Sequence, residues 1–402
     1  MSLAISMERP KGQSSTRPSA SLSQCILIVG GGMAGSLLAL VLGRAGREVC
    51  LIDLRQQLAP AFRNEKLGID QIAHLDKLGV LSCFEEACYG VDAEADPQRP
   101  PMKDCGARYD RWIACVRAAL PDTVSFVEGK VDQIETSDLS QTVVLADGRR
   151  LDGRLVVLAT GRGERLRTAL GMERRTASEK HSICLGFSVA PRSGDCREIA
   201  AEIFKAPAGS GHAYATVFPM LDEVRVNLFS YRGLDDPWVR EMRADPIAAF
   251  AKTFPAAAGK LGDAGLVRQL EVRSTDLYAS DGHVQAGVVL LGDAFHAPCP
   301  ASGTGMTRIL NDVDRLANIH VPTWMATPGM DAGKIAGFYA DPAKHKVDAA
   351  SLRRSIHGRD SVISLSPYWR VRRGLGRLKV RLRPDRTAAP AIASDALRRP
   401  HP

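Results

Sequence analysis

The sequence lacks the cysteine patterns of a metalloprotein or a disulfide-stapled protein. Its cysteines are odd in number, nine in 402 residues, and they include no C-x-x-C pair. No His, Cys or carboxylate group shows metal-ligand spacing, and Cys25 and Cys50 fall in stretches that read as buried strands. We therefore predict reduced thiols in a cytoplasmic protein, with no metal site.

Long apolar runs are also absent. No stretch reaches the roughly 18 apolar residues that a membrane-spanning helix needs, so we predict no transmembrane segment. Residues 1–23 are rich in Ser, Pro, Lys and Arg and contain no apolar core. This composition predicts a disordered tail rather than a signal peptide.

The chain lacks a broadly basic surface, although its formal net charge is +8. Between Trp369 and Arg386 stand eight Lys or Arg residues and one acid, which account for seven of the eight net charges. Basicity confined to a tail argues against a nucleic-acid groove on the folded body.

The basic tail also carries an apolar stripe at helical spacing: Val371, Leu375, Leu378 and Leu382. Such a helix could dock on an anionic membrane or an acidic carrier protein. Gly374 and Gly376 lower its helix propensity, and a solvated helix packed on its own domain is the preferred interpretation.

The most informative stretch runs from Cys25 to Asp53. An apolar strand of residues 25–29 leads into glycines at 30, 32 and 35, an apolar helix, and a second strand that ends at Asp53, 23 residues after Gly30. This order is typical of a dinucleotide site. Gly30 allows the tight turn, Gly32 lets backbone amides approach a diphosphate, and Gly35 lets the helix pack on the strand. A glycine-rich loop that merely turns is the alternative.

A second unit of strand, loop and helix begins at residue 288. Its apolar strand ends at Asp293, a loop rich in Pro and Gly follows, and Gly303 and Gly305 precede the helix. Asp293 could accept hydrogen bonds from ligand hydroxyls, and the helix N-terminus would stabilise negative charge on a bound ring system.

The remaining chain predicts an α/β fold with an insertion. Helices are expected at 69–79 and 109–120, strands at 124–127 and 155–161, and a hairpin turns at Asp147-Gly148. Residues 181–284 read as separate strands with one helix at 245–254. We predict a Rossmann-like nucleotide-binding domain with a parallel sheet (24–180 and 285–325), an inserted, mainly antiparallel substrate-binding sheet (181–284), and a C-terminal helical region with the basic tail (326–402).

These motifs resemble the single-component FAD-dependent monooxygenases of the aromatic-hydroxylase type, whose fold is shared with flavin-dependent halogenases and geranylgeranyl-reductase-like enzymes. The resemblance implies that Asp293 bonds the ribityl chain and that the glycine loop after it meets the flavin. It also implies that Arg63 contacts FAD, that Val131 touches the adenine through its backbone, and, with an uncertain register, that Arg108 contributes. The predicted cofactor-binding residues are Gly30, Gly32, Met33, Ala34, Gly35, Asp53, Arg63, Arg108, Val131, Asp293, Pro300, Gly303, Gly305, Met306 and Thr307.

Two positions depart from the family's pattern. Thr160 stands where many hydroxylases carry the aspartate of Ala-Asp-Gly, a motif tied to FAD and NAD(P)H use, so direct reduction by NAD(P)H is in doubt. Thr307 stands where an asparagine is common; threonine still offers a hydroxyl to the flavin.

Other side chains invite roles that we do not assign. His296, His181 and His212 are expected to be structural, Cys299 is expected to be a buried thiol, and Arg63 could pair with Glu65 instead of FAD.

The resemblance implies hydroxylation of a small, aromatic or otherwise electron-rich substrate with O₂ through a flavin hydroperoxide. The flavin carries that chemistry, so no catalytic residue is named. One alternative is a halogenase supplied with reduced FAD by a separate flavin reductase, against which stands the absence of a Trp-x-Trp pair. The other is a flavin-fold binding protein without redox activity.

Overall fold

The computed structural model describes residues 24–59, 61, 63–90, 101–192 and 194–381. The predicted disordered tail (1–23), residues 91–100 of a segment rich in Pro and Asp, and the end of the basic tail lie outside the described residues. The strands are β1 (Ile26–Val29), β2 (Val49–Asp53), β3 (Asn64–Lys66), β4 (Gly106–Arg108), β5 (Val124–Glu128), β6 (Val131–Glu135), β7 (Gln141–Leu145), β8 (Arg150–Gly153), β9 (Leu155–Leu158), β10 (Glu173–Ala190), β11 (Glu202–Lys205), β12 (His212–Pro219), β13 (Val224–Ser230), β14 (Gly265–Asp281), β15 (Val288–Leu290) and β16 (His296–Ala297).

The helices are α1 (Met33–Arg44), α2 (Ile69–Lys77), α3 (Leu81–Tyr89), α4 (Tyr109–Ala118), α5 (Arg165–Ala169), α6 (Pro237–Ala244), α7 (Pro246–Thr253), α8 (Pro255–Leu261), α9 (Gly305–Arg315), α10 (Val321–Met325), α11 (Ala332–Tyr339), α12 (Pro342–Ile363) and α13 (Pro367–Arg381). None in the described part of the chain is long and apolar enough to span a bilayer.

A five-stranded parallel sheet carries both of the loops singled out in the sequence, with strand order β15-β9-β1-β2-β5. The strands β1, β9 and β15 are apolar throughout and fully buried because both faces of the sheet are covered there. Ile26 and Ile28 pack with α1, α4 and α9, whereas Leu27 and Val29 pack toward the small sheet β6-β7-β8. The carboxyl ends of β1, β2, β9 and β15 consequently meet at one edge.

The second large sheet has the order β11-β12-β13-β10-β14-β16, and all its pairings are antiparallel. Alternate residues of β10, β12 and β13 form a core with α6, α7 and α8. The predicted fold class is therefore confirmed: a parallel sheet, an inserted antiparallel sheet and C-terminal helices.

The sequence prediction was incomplete within the insertion. It placed one helix at 245–254, where the structure has α7 flanked by α6 and α8. Each begins with a proline at its first position, which a helix start accepts because its N–H has no intrahelical acceptor. The strands β10 and β14 are also far longer than the strands predicted there from the sequence, 183–189 and 270–277, and they contain register shifts where they pair.

Candidate functional site

A cavity of about 490 Å³ opens at the carboxyl edge of the parallel sheet. It touches the ends of β1, β2 and β9, the start of α1, and the residues that follow β15. Both motifs singled out in the sequence therefore border one space. Its lining includes Gly30, Gly32, Met33, Ala34, Asp53, Arg63, Tyr109, Lys130, Val131, Thr160, Arg165, Asp293 and Ile309.

The glycines of the first loop have different structural roles. Gly30 has a φ of +105°, and a Cβ there would lie 2.6 Å from the Ala159 carbonyl oxygen. A Cβ on Gly35 would lie 1.9 Å from the Gly30 carbonyl oxygen, so α1 can approach β1 only without a side chain at that position. By contrast, a Cβ on Gly32 would meet only the Tyr109 hydroxyl within 4 Å, at 3.3 Å. Gly32 thus leaves open space in front of the first turn of α1, where backbone amides lack intrahelical acceptors.

Asp53 lines the cavity and also holds the glycine loop. Its carboxylate accepts hydrogen bonds from the backbone N–H groups of Gly31, at 2.6 Å, and Arg55, at 3.1 Å. The Arg117 guanidinium lies 3.7 Å from the same carboxylate and donates to the carbonyl oxygens of Gly31, Arg55 and Gln56. Burial lowers the pKa of Arg117. Sequence reasoning missed Arg117, which comes from α4 and fixes the loop and the strand end together.

Tyr109 is a second residue that the sequence did not reveal. Its hydroxyl accepts a hydrogen bond from the Met33 N–H at 3.0 Å, and Arg63 lies 5.0 Å from its ring centroid. Burial raises the pKa of Tyr109, which keeps the phenol neutral. Arg63 pairs with Glu65 and also lines the cavity, so the two roles considered for it are compatible.

Val131 and Lys130 line the end of the cavity near Asp53. The carbonyl oxygen of Val131 accepts a hydrogen bond from the Arg165 guanidinium. This contact ties α5 to β6.

Thr160 stands where many hydroxylases carry the aspartate of an Ala-Asp-Gly motif. Its hydroxyl is buried, lines the cavity and has no hydrogen-bond partner. A buried hydroxyl without a partner is costly, so this oxygen is available to a bound ligand. Nearby, Nε of Arg162 lies 3.7 Å from a carboxylate oxygen of Asp293.

A buried ionic cluster stabilises the second loop, which joins β15 to α9. We define this cluster as Arg308, Asp312, Lys344 and Asp348. The Lys344 ammonium lies 2.8 Å from Asp312 and 3.0 Å from Asp348, and Arg308 Nε lies 2.7 Å from Asp348. Arg308 also donates to the carbonyl oxygen of His296 at 2.6 Å. Lys344 and Asp312 are each 1% exposed, and burial raises the pKa of Asp312 despite the adjacent Lys344.

Helix α12 makes further hydrogen bonds to this loop. The Cys299 N–H donates to the Ser355 hydroxyl at 3.2 Å, and the hydroxyls of Thr304 and Ser351 lie 2.6 Å apart. The loop between β15 and α9 is thus held by α9 on one side and by α12 on the other.

The remaining predicted site residues lie outside the cavity lining. Gly35 packs α1 on β1, and Met306 is buried in the apolar core. Arg108 pairs with Asp110 at 2.6 Å, and Thr307 accepts a hydrogen bond from the Gln71 amide at 3.0 Å. Pro300, Gly303 and Gly305 belong to the second loop and the start of α9, where Arg63 Nη2 lies 3.8 Å from a Cβ built on Gly305.

The side chains that invited catalytic roles are buried and uncharged. Burial lowers the pKa of His296 and of His212 to about 4, and nearby Arg308 and Arg232 act in the same direction. Cys299 is 1% exposed, its sulfur lies 3.3 Å from the Ser182 hydroxyl, and burial raises its pKa. A reactive thiolate is therefore disfavoured there.

The residues present fit a dinucleotide cofactor. Gly32 leaves the start of α1 open, Asp53 and Asp293 offer carboxylates at two strand ends, and the Thr160 hydroxyl lacks a partner. Among the described residues, no group of three His, Cys, Asp or Glu side chains is arranged to hold a metal ion.

Sequence comparisons cover less than half of the chain. Residues 25–185 match the family model described as lycopene cyclase protein. The FixC protein of Salmonella typhi is 26% identical over 173 residues, which span 37% of this chain and 39% of FixC. FixC of Escherichia coli O157:H7 is 26% identical over 172 residues, with the same shares covered. The chain thus matches well under half the length of these curated relatives.

Structural comparisons extend over nearly the whole fold. The p-nitrophenol 4-monooxygenase PnpA of Pseudomonas putida DLL-E4 superposes with a TM-score of 0.67 at 17% identity, covering 90% of this chain and 94% of PnpA. PqsL of Pseudomonas aeruginosa, described as a probable FAD-dependent monooxygenase, gives 0.64 at 21% identity, covering 89% of this chain and all of PqsL. The flavin-dependent brominase Bmp2 gives 0.62 at 16% identity, covering 88% of this chain and 92% of Bmp2. The resemblance inferred from the two motifs is confirmed at the level of the fold.

Proposed function

We propose that the protein binds FAD and works as a flavin-dependent monooxygenase that hydroxylates a small, aromatic or otherwise electron-rich substrate with O₂. The observation that carries this proposal is the single cavity that touches both Gly30–Ala34 and Asp293. One extended dinucleotide can reach both loops, whereas two separate pockets would require two ligands. The likeness to PnpA and PqsL supports the same chemistry by analogy of fold.

The protein's own residues would hold the cofactor by charge and hydrogen bonding. The first turn of α1, in front of Gly32, offers backbone amides and partial positive charge to the diphosphate. Asp53 would accept from the adenosine ribose and Asp293 from the ribityl chain, while the N-terminus of α9 would face the flavin ring. Bound FAD, when reduced, supplies the activation of O₂. The chain's task is to orient the substrate and exclude water.

The substrate would lie against the face of the antiparallel sheet that does not pack on α6–α8. Side chains on that face include the half-buried Cys184, Tyr214, Thr216, Asn227 and Phe229. The buried guanidinium of Arg225 lies on the same face and donates to the Asn227 amide oxygen at 2.8 Å. The Tyr214 hydroxyl donates to the carbonyl oxygen of Ala301 at 3.0 Å, so this face contacts the second loop. Burial raises the pKa of Tyr214, and the phenol stays neutral. The rings of Tyr214 and Phe229, with centroids 4.8 Å apart, suit a ring-containing substrate.

FAD binding is tested by purification and titration. The full chain should be yellow as isolated or should quench the fluorescence of added FAD at a 1:1 ratio. Gly32→Val should abolish retention, because its side chain would fill the space in front of α1. Gly259→Val is a matched control in α8, where a Cβ meets nothing within 4 Å. Colourless protein that takes up no FAD, or a Gly32→Val variant that binds FAD normally, would refute the proposal.

A halogenase is the second candidate, favoured by the likeness to the brominase Bmp2 and by Thr160. The absence of a Trp-x-Trp pair stands against it. Candidate phenols and indoles should be incubated with O₂, FAD and a flavin reductase, with and without chloride or bromide. Hydroxylated products that do not depend on halide support the monooxygenase; halide-dependent incorporation of halogen supports the halogenase.

A further inference from the structure

The C-terminal helix α13 presents an apolar stripe to solvent, which we define as Tyr368, Val371 and Leu375. Their exposed fractions are 61%, 63% and 56%. At 100° per residue these positions fall within about 60° of one another on the helix. They line, with Pro367 and Arg372, a shallow concavity of about 520 Å³ on the surface.

The opposite side of α13 fastens the helix to the body of the protein. The Trp369 ring lies 4.8 Å from the His357 ring of α12, edge to face. Arg373 donates to the backbone carbonyl oxygens of Asp360, Ser361 and Ser364. The helix therefore packs on its own domain through Trp369 and Arg373 and is held with its stripe facing outward.

The charge of α13 is of one sign. Residues 367–381 contain six Lys or Arg and no acid; Arg370 and Arg372 are exposed, and Arg372 lies beside the stripe. An outward apolar stripe flanked by cations matches a layered surface, in which acyl chains take the stripe while lipid phosphates meet the arginines. A second copy of the same helix would bring like charges together, which disfavours self-association.

We propose that α13 docks the protein on an anionic lipid surface. The guanidinium groups supply attraction to the headgroups, and the stripe enters the boundary between headgroups and acyl chains. This proposal is independent of the reaction assigned to the cavity, because it rests only on the exposure, packing and charge of α13.

The test is co-sedimentation of the full chain with vesicles. Phosphatidylcholine vesicles are compared with vesicles in which phosphatidylserine replaces part of the phosphatidylcholine. We expect binding to the second only, weakened by salt. Arg370→Gln/Arg372→Gln should weaken it by roughly fivefold per arginine, and Val371→Ser/Leu375→Ser by roughly tenfold or more.

Matched controls separate the helix from general surface effects. Leu139→Ser and Val267→Ser remove apolar side chains of comparable exposure, 56% and 52%, on other elements. Arg192→Gln removes an exposed cation elsewhere. These variants should bind vesicles as the unaltered protein does, and all variants should keep its melting temperature.

Four outcomes overturn the proposal. The first is no binding to phosphatidylserine vesicles, and the second is unchanged binding after the stripe substitutions. The third is full release by millimolar inorganic phosphate, equally for the unaltered protein and the stripe variants. The fourth is binding to soluble polyglutamate that is tighter than binding to vesicles. The third would indicate a simple anion site, and the last an acidic protein partner.

Discussion

Replacing Lys344 with methionine should destabilise the protein strongly. Lys344 is the cation between Asp312 and Asp348, and its ammonium is 1% exposed. Methionine keeps the length and apolar stem of the side chain and removes the charge. Asp312, itself 1% exposed, would then remain buried without its nearest cation.

The magnitude follows from the cost of an uncompensated buried charge. Removing one partner of a buried ion pair costs about 3–5 kcal/mol, more than the pair itself contributes relative to an apolar replacement. Asp348 retains Arg308 at 2.7 Å, so Asp312 is the group that suffers. Lys344→Met/Asp312→Asn should therefore recover more than half of the loss, because the ionised groups that remain, Arg308 and Asp348, are paired with each other.

The assay is chemical denaturation of the full chain, followed by fluorescence and circular dichroism. Lys346→Met is the control, since Lys346 is exposed on the same helix, and it should change the free energy of unfolding by less than about 0.5 kcal/mol. A Lys344→Met variant within about 1 kcal/mol of the unaltered protein would refute the reasoning. A double variant less stable than the single one would do the same.

Three further predictions concern the cofactor and pH. Asp53→Ala should weaken FAD binding by about 1–3 kcal/mol, the cost of unmatched polar groups; equal affinities in a fluorescence titration would rule out its ribose role. NADPH alone should reduce the flavin slowly, because Thr160 replaces the aspartate of the family's motif, and rapid anaerobic bleaching would contradict this. Burial opposes ionisation of Asp341, yet hydrogen bonds from Arg315, His320 and two backbone amides lower its pKa from 3.8 to about 2. Because the pKa is depressed in the folded state, the resulting stability of about 2 kcal/mol is present above pH 4 and lost as the pH falls toward 2. At pH 7 the Asp341→Asn variant should lack that stability and melt at a lower temperature than the unaltered protein. Its melting temperature should also change less between pH 4 and 2; a pH dependence equal to that of the unaltered protein would disprove the assignment.

The part of the fold built on the parallel sheet was predictable because its sequence signals are local. A buried parallel strand appears as a continuous apolar run, and a close approach of two backbones requires glycine. Residues 25–53 show both signals within one short stretch, so they could be interpreted without the rest of the chain. The expectation that the two loops share an edge follows from parallel pairing. The structure places β1, β9 and β15 side by side in that way.

The supporting side chains could not be predicted, since they come from distant parts of the chain. Arg117 lies 64 residues after Asp53, and neither its spacing nor its neighbours mark it as a partner of the glycine loop. Lys344 lies on α12, whose sequence shows no marked apolar face and contains no recognisable motif. Such contacts are set by tertiary packing, which a single sequence does not reveal.

The insertion was predicted least well for a different reason. The strands β10 and β14 are partly exposed and interrupted by register shifts, so neither shows a clean alternation over its length. Short helices such as α6 and α8 begin at prolines that also read as breakers of structure.

The fastening of the second loop by α12 also constrains how the molecule can be recombined with its relatives. The sequence likeness to the lycopene cyclase family model ends at residue 185, yet the loop after β15 depends on Lys344, Ser351 and Ser355. A chimaera joined between α9 and α12 would separate Asp312 from its cation and remove the hydrogen-bond partners that α12 supplies to Cys299 and Thr304. A crossover placed before β15 would take the loop, α9 and α12 from the same parent protein and so keep their contacts.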